Sequence, residues 1–415
     1  MLKQLILENW KSFRHAVLPI DPLTILIGTN ASGKSNALEA LEFLRRTAMG
    51  KDLQAALAGD DTLDPIRGGV EWATFQPETR FTLKVLVQGR NDSTDYLYSI
   101  TVETIHSSVQ LYDESLAWVN KNPKTGETSN EKKLFYTNTL SSDSPNITAH
   151  IYYTESVKKV EFSRTQSILS QVKGLSMDFF EGVNIVSQTL KNIFILEPAP
   201  AKMRYYSPLS DRLQRDAANI AGVLAALTDN KKTELKSTVT TYVKHLPERD
   251  IQKVWAEPVG IFGKDAMLYC EELWIPDQPP KIIDARSMSD GTLRFLGIMT
   301  AILTRPPGSQ IVIEEVDNGL HPSRSDLLLK MLVKIGEERK IDILVTTHNP
   351  ALLDALDSEM LPFVVVAHRD AQTGESKLTL LENVDNFPKL FASGSLGKLT
   401  AKGSIERSLS HNKEV

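Results

Sequence analysis

Gly28-Thr29-Asn30-Ala31-Ser32-Gly33-Lys34-Ser35 fits the spacing G-x-x-x-x-G-K-[S/T], which suits a chain that wraps phosphate. Backbone N–H groups must curl around anionic oxygens, and that calls for glycine's freedom at Gly28 and Gly33. Lys34 would bring a point charge to the β- and γ-phosphates, and the Ser35 hydroxyl can ligand Mg²⁺. A nucleoside triphosphatase of this type also needs a second buried strand that delivers acids to the metal and to the attacking water. IVIEEVDNGLHP (311–322) offers one. Glu314 suits the metal side, directly or through a water, and Glu315 suits the base that orients and deprotonates water. IDILVTTHNP (341–350) ends a third apolar run in Thr346, Thr347 and His348. There His348 could hydrogen-bond the γ-phosphate or hold the water. Ser289, Asp290 and Gly291 precede a helical pattern. Ser289 reads as an N-cap, and an exposed Ser and Gly at a helix start also make a second anion site. One phosphate tail can occupy both sites only if they face each other across an interface.

These residues need elements to hold them. LTILIG (23–28) reads as a buried strand, and SGKSNALEALEFLRR (32–46) as a helix with Ala37, Leu38, Leu41 and Leu44 on one face. Between about 70 and 160 the pattern alternates, as in FTLKVLVQG (81–89), with turn signals such as NPKTGE (122–127). An antiparallel β insertion is expected there. Residues 161–250 read mostly helical, with strand-like pieces around MLYCEELWI (267–275). After about 286, strand and helix alternate again in continuous apolar runs, the mark of a parallel sheet covered on both faces. The expected fold is therefore α/β, a P-loop NTPase with a mostly parallel core sheet, an antiparallel β insertion and a helical lobe. The expected division is 1–85 for the N-terminal half of the head and 86–160 for the β subdomain. Residues 161–285 form the helical lobe and 286–415 the C-terminal half of the head.

Composition narrows the class. Over 415 residues the formal net charge is -5, so no global basic field announces nucleic acid. The single cysteine, Cys270, excludes an intramolecular disulfide and fits a reducing compartment. MLKQLILENWKSF does not read as a signal peptide, and no apolar run approaches the roughly 18 residues of a membrane helix. A cytoplasmic protein without a membrane segment is expected.

The set NWKSF (9–13), GTNASGKSN (28–36), MSDGT (288–292), IVIEEVDNGLHP (311–322) and TTHNP (346–350) resembles the ABC-type ATPase heads of the RecF, SMC and OLD-like superfamily. It looks closest to compact stand-alone ATPases without a long coiled coil. The resemblance implies that heads dimerise head-to-tail around two ATP molecules with Mg²⁺. Ser289 and Gly291 would then meet the γ-phosphate held by the partner's loop, Gly28 through Asn36. Asp317-Asn318-Gly319 would cross the interface, and Lys11 sits where such heads often carry a basic residue near the γ-phosphate. RTQSILSQ (164–171) resembles the family's glutamine loop, with Gln166 as nucleotide and metal candidate and Gln171 and Gln76 as weaker ones. This chain departs from the family twice: Glu314 stands where aspartate is usual, and Ala31 where many relatives have glycine.

The resemblance further implies a slowly hydrolysing, nucleotide-gated switch. Such relatives often act in bacterial antiphage defence beside a separately encoded effector. The alternative is a RecF-like repair ATPase that binds DNA across the closed dimer. A fused nuclease is not expected, because only Asp370 offers an acid on a strand end after His348.

Overall fold

The computed structural model describes the chain except for residues 92, 106–107, 122–127, 139–143, 153–155, 173–176, 245–250, 275–277, 386 and 411–415. The expected turn at 122–127 thus lies outside the described residues. The chain divides into two compact units, built chiefly from Met1–Ile193 with Val365–Asn383 and from Phe194–Val364 with Val384–Ser408.

The first unit opens with β1 (Leu2–Trp10), β2 (Phe13–Pro19) and β3 (Leu23–Ile27). All five residues of β3 are buried, as a strand covered on both faces requires. The phosphate-loop segment leads into α1 (Lys34–Ala48), and α2 (Leu53–Ala58) follows. Next come β4 (Arg80–Gln88), β5 (Thr94–Ile105), β6 (Ser108–Lys121), β7 (Thr128–Thr137), β8 (Asn146–Tyr152) and β9 (Val157–Ser163). They join β1 and β2 in one antiparallel sheet of order β2-β1-β4-β5-β6-β7-β8-β9. The alternation in β4 does what the pattern demands, burying Phe81, Leu83, Val85 and Val87. Because β1 pairs with both β2 and β4, the sheet begins at the N-terminus and takes in the strands read as an insertion. Phe43 of α1 meets Phe81 at 5.4 Å and Trp10 at 5.9 Å between ring centroids, and all three rings are buried. That cluster fixes α1 on the sheet, since truncating such a ring costs about 3–5 kcal/mol. The unit continues through α3 (Ile168–Gln171) and α4 (Met177–Lys191).

Glu114 of β6 is a fully buried acid within this unit. Its carboxylate accepts hydrogen bonds from Ser167 Oγ (2.8 Å), Tyr98 OH (3.0 Å), Ile168 N (2.7 Å) and Leu169 N (2.9 Å). It thereby caps α3 from inside the sheet. Burial raises its pKa to about 7, although all four donors pull the other way. A raised folded pKa means that the folded state holds a proton which the unfolded state releases near pH 4.5. Stability from this group is present below pH 4.5 and is lost as pH rises toward 7. The unfolding free energy of wild type should therefore fall between pH 5 and 7, by at most about 1.4 kcal/mol per pH unit from this proton, and the melting temperature should fall with it. Glu114→Gln, which does not titrate, should flatten that slope in a thermal-melt series. An unchanged slope would remove Glu114 as its source.

The second unit begins near β10 (Ile193–Leu196) and runs through α5 (Pro200–Met203), β11 (Ser207–Pro208), α6 (Ile220–Ala226) and α7 (Asp229–Lys244). β12 (Ile251–Val259), β13 (Asp265–Glu272) and β14 (Lys281–Asp284) follow, and β13 pairs antiparallel with β11, β12 and β14. The stretch read as a helical lobe thus also carries a small sheet, with the Cys270 thiol buried on it. Then come α8 (Asp290–Thr304), β15 (Gln310–Ile313), α9 (Ser325–Arg339), β16 (Asp342–Thr347) and α10 (Pro350–Asp354). β15 and β16 pair in parallel, Ile311 beside Ile343, and every residue of both is buried. The chain returns to the first unit as the antiparallel hairpin of β17 (Val364–Arg369) and β18 (Ser376–Leu380). Among the described residues no helix is long and apolar enough to cross a membrane.

Candidate functional site

The site residues named from sequence divide between the two units, with residues 11 to 36 and 166 in the first and residues 289 to 348 in the second.

In the first unit, Gly28, Ala31 and Gly33 take positive φ values of 144°, 63° and 110°. The two glycines are required by space as well. A Cβ on Gly28 would lie 2.2 Å from the Ala367 carbonyl oxygen, and one on Gly33 would lie 2.7 Å from Ser376 Oγ and 2.9 Å from Phe13 Cζ. Ala31 adopts the left-handed conformation with a side chain, at a cost of about 1–2 kcal/mol. Thr29, Asn30 and Ala31 are exposed, while Ser32 is buried and its Oγ lacks a hydrogen-bond partner among the described residues. Lys34 Nζ donates to the carbonyls of Gly28 (2.7 Å) and Thr29 (2.9 Å). Its ammonium is folded back into the loop, where incoming phosphate oxygens could replace those carbonyls. Ser35 follows on the first turn of α1 and offers a hard oxygen donor of the kind Mg²⁺ takes. Asn36 turns away from this side: its Nδ2 donates to Ser12 Oγ (2.7 Å), and its carbonyl accepts from Trp10 Nε1 (2.7 Å). The cradle, the positive charge and the glycine geometry fit a phosphate chain.

Lys11 has φ 50° and is engaged by the Glu39 carboxylate on α1 and by the Arg67 carbonyl (2.8 Å). Burial lowers its pKa, against the pull of Glu39. Gln166 Nε2 donates to the Gly50 carbonyl (3.0 Å), just beyond the C-terminal end of α1. The phosphate loop is at the other end of that 15-residue helix, and a rise of 1.5 Å per residue separates the ends by about 22 Å. The structure thus does not bring Gln166 to the loop. Gln171 is also engaged locally, its Nε2 donating to the Ser163 carbonyl (2.9 Å), and Gln76 Nε2 donates to the Glu71 carbonyl (3.3 Å). The sequence pattern pointed to none of the residues that brace the loop from the β17–β18 hairpin. Arg369 Nε donates to the Ala31 carbonyl (2.8 Å), and Ser376 Oγ lies 2.8 Å from Ser12 Oγ.

In the second unit, Glu314 and Glu315 come directly after β15, half-buried, with Asp317 buried two residues on. Glu315 sits at φ 48°, a left-handed position that a side chain pays to occupy. Its N–H donates to Thr346 Oγ1 (2.8 Å), and Val316 N donates to the Thr346 carbonyl (3.1 Å). The end of β16 therefore aims the acid. His348, two residues past Thr346, brings Nδ1 to 3.9 Å from Glu315 Oε1, so the two candidates converge. Asn318 Nδ2 donates to Glu315 Oε2 (3.3 Å). Asp317 Oδ1 is buried with no hydrogen-bond partner among the described residues.

Ser289 caps α8 as expected, its Oγ accepting from Thr292 N (3.1 Å). A Cβ on Gly291 would lie 2.8 Å from the Gly319 carbonyl oxygen, so this helix start packs on the Asp317–Gly319 turn at glycine distance. Arg204, which sequence reasoning passed over, binds this helix start through four contacts. It donates to the carbonyls of Ala285 (3.1 Å), Arg286 (3.1 Å) and Met288 (2.6 Å), and to the Asp290 carboxylate. Among the described residues no group of three or more His, Cys, Asp or Glu could hold a metal by itself. A few hard oxygens with substrate phosphates filling the rest is the usual Mg²⁺ arrangement, and Ser35 offers one such oxygen.

A family model described as AAA ATPase domain matches residues 1–353. A protein of Helicobacter pylori (strain ATCC 700392 / 26695) named ATP/GTP phosphatase is 22% identical over 412 residues, covering 93% of this chain and 94% of that protein. Two solved structures are similar. The Smc head domain with an extended coiled coil bound to the C-terminal domain of ScpA, derived from Pyrococcus furiosus, has TM-score 0.50 at 12% identity, covering 94% of this chain and 99% of that one. The SmcHead bound to the C-winged helix domain of ScpA has TM-score 0.49 at 12% identity, covering 91% and 96%. The first of these likenesses gives the fold, an α/β P-loop head of the ABC type.

Proposed function

The chain belongs to the AAA ATPase domain family and is an ATPase, and from that premise we propose that it is a nucleotide-gated switch whose two copies close head-to-tail on two Mg·ATP. The observation that carries this reading is the packing of Gly291 on Gly319. It makes the Ser289 helix start and the Asp317 turn one surface, so a partner's γ-phosphate at Ser289 would be felt by the turn that follows the acids. In this reading residues 28–36 hold the triphosphate and Lys34 neutralises its β- and γ-oxygens. Glu315 takes the proton of the attacking water, and His348 steadies that water or the γ-phosphate. Ser35 would hold Mg²⁺ with Glu314 as its acidic partner, and the ion would supply charge neutralisation on the phosphates. Glu314, one methylene longer than aspartate, would serve the ion directly or through a bound water. Lys11 is free to join only if it leaves Glu39. Gln166 would need its loop to move from Gly50 before it could serve the nucleotide.

A further part of the proposal rests on the sequence resemblance to compact stand-alone heads. The switch acts as sensor or regulator for a separately encoded effector protein, as in bacterial antiphage defence. The name of the Helicobacter relative adds GTP as a second nucleotide worth testing.

Ser289→Arg should leave ATP binding by one subunit intact and abolish the ATP-dependent dimer. Size exclusion with light scattering of the full chain, with and without ATP, measures this. A Ser289→Arg chain that dimerises like wild type would sink the composite-site reading. ATP-dependent DNA binding with a steep salt slope would move the role to DNA repair.

A further inference from the structure

Arg369 ends β17, in a part of the sequence that carries no nucleotide motif, yet it touches the phosphate loop. Its guanidinium makes two hydrogen bonds, Nε to the Ala31 carbonyl (2.8 Å) and Nη1 to the Gly374 carbonyl (2.7 Å). The planar fork therefore ties the loop to the turn of its own hairpin. That turn is well anchored. The Asp370 carboxylate accepts the N–H groups of Gln372 and Thr373, each at 3.0 Å, and Gly374 N donates to the Asp370 carbonyl (2.9 Å). Ser376 N then bonds the Ser12 carbonyl (2.8 Å), fixing the start of β18.

Ala31 is the loop residue that needs such a brace. Gly28 and Gly33 reach positive φ as glycines, whereas Ala31 holds φ 63° with a Cβ. A trans peptide points its carbonyl and the following N–H to opposite sides. Holding the Ala31 carbonyl on Arg369 therefore directs the Ser32 N–H away from the hairpin. Among the described residues that N–H makes a long bond, 3.3 Å to the Thr29 carbonyl, which an anion could replace. We propose that Arg369 is a positioning residue of the nucleotide site: it holds the Ala31–Ser32 peptide in its phosphate-accepting orientation without itself touching the nucleotide. A relative with glycine at this position would depend on the brace less, because glycine reaches the left-handed region without it. The inference rests on residues 28–36 being the triphosphate site.

The test measures ATP and ADP binding by calorimetry on the full chain, together with steady-state hydrolysis. Arg369→Ala should weaken both nucleotides about tenfold, as loss of a charge-assisted hydrogen bond does, while kcat at saturating ATP stays within about threefold. Arg369→Lys keeps one donor and should fall between that variant and wild type. Adding Ala31→Gly to Arg369→Ala should restore most of the affinity. Wild-type affinity in Arg369→Ala would overturn the proposal. So would an equal loss with and without Ala31→Gly, which would mean that Arg369 contacts the nucleotide directly. If Arg369→Ala melts well below wild type, the comparison passes to Arg369→Lys with and without Ala31→Gly, read the same way. Lys34→Ala is the control for the underlying reading. If it binds ATP like wild type, residues 28–36 are not the triphosphate site. If it loses binding while Arg369→Ala does not, only the role of Arg369 is wrong.

Discussion

Glu315→Gln should bind ATP within a few-fold of wild type and hydrolyse it about 10²- to 10⁴-fold more slowly, the range over which a general base contributes. The substitution removes the proton acceptor and little else. The bonds that hold position 315 run through its backbone, from its N–H to Thr346 Oγ1, and through the neighbouring Val316 N–H to the Thr346 carbonyl. Glutamine keeps a side-chain oxygen that Asn318 Nδ2 can still reach. Folding, loop geometry and nucleotide affinity should therefore survive, and the ATP-bound state should accumulate as a dimer. Single-turnover hydrolysis beside equilibrium ATP binding separates the chemical step from affinity. A variant that hydrolyses at the wild-type rate would show that another group takes the proton. His348, 3.9 Å away, is the first to examine.

Gly33→Ala should cost at least tenfold in nucleotide affinity, with a smaller loss of thermal stability. Two independent penalties coincide at this position. The residue sits at φ 110°, where a side chain is strained. Its Cβ would also approach Ser376 Oγ to 2.7 Å and the Phe13 ring to 2.9 Å. Each penalty is of order 1–3 kcal/mol, and the strained φ is relieved only by shifting the loop that would hold the phosphates. Adding Ser376→Gly removes the nearest obstacle and should recover part of the affinity. The recovery stays partial, because φ and the Phe13 contact are unchanged. Calorimetric titration with ATP and a melting curve for each variant check this. Wild-type affinity in Gly33→Ala would mean that phosphate is bound elsewhere.

Much of this was legible in the sequence. The G-x-x-x-x-G-K-S run, the IVIEE strand end, the TTH strand end and the Ser289 cap are local patterns. Each is written within about ten residues, where turn chemistry and hydrophobic period act directly. Other features were not legible. Glu315 gives no sign in its neighbours that it will take a left-handed φ, and the partner of its N–H, Thr346, lies 31 positions on. Gln166 looked like a glutamine-loop residue by its neighbours, but the length of α1 places it at the Gly50 end. The run from 86 to 160 read as a separate β piece. Its sheet edge is in fact completed by β1 and β2, and only register between distant strands could reveal that.

The sequence by itself determined the chemistry: which side chains could hold a triphosphate, which could take a proton, and that they would sit at strand ends and helix starts. Local steric and hydrogen-bond preferences are enough for that. Tertiary structure alone decided what holds those groups in place. Arg369 braces Ala31 across 338 positions, and Arg204 gathers the carbonyls before α8 from 81 or more positions away. Such bonds go to backbone carbonyls, which every residue has, so no residue type along the chain marks the partner. Only the folded path of the backbone brings the two together.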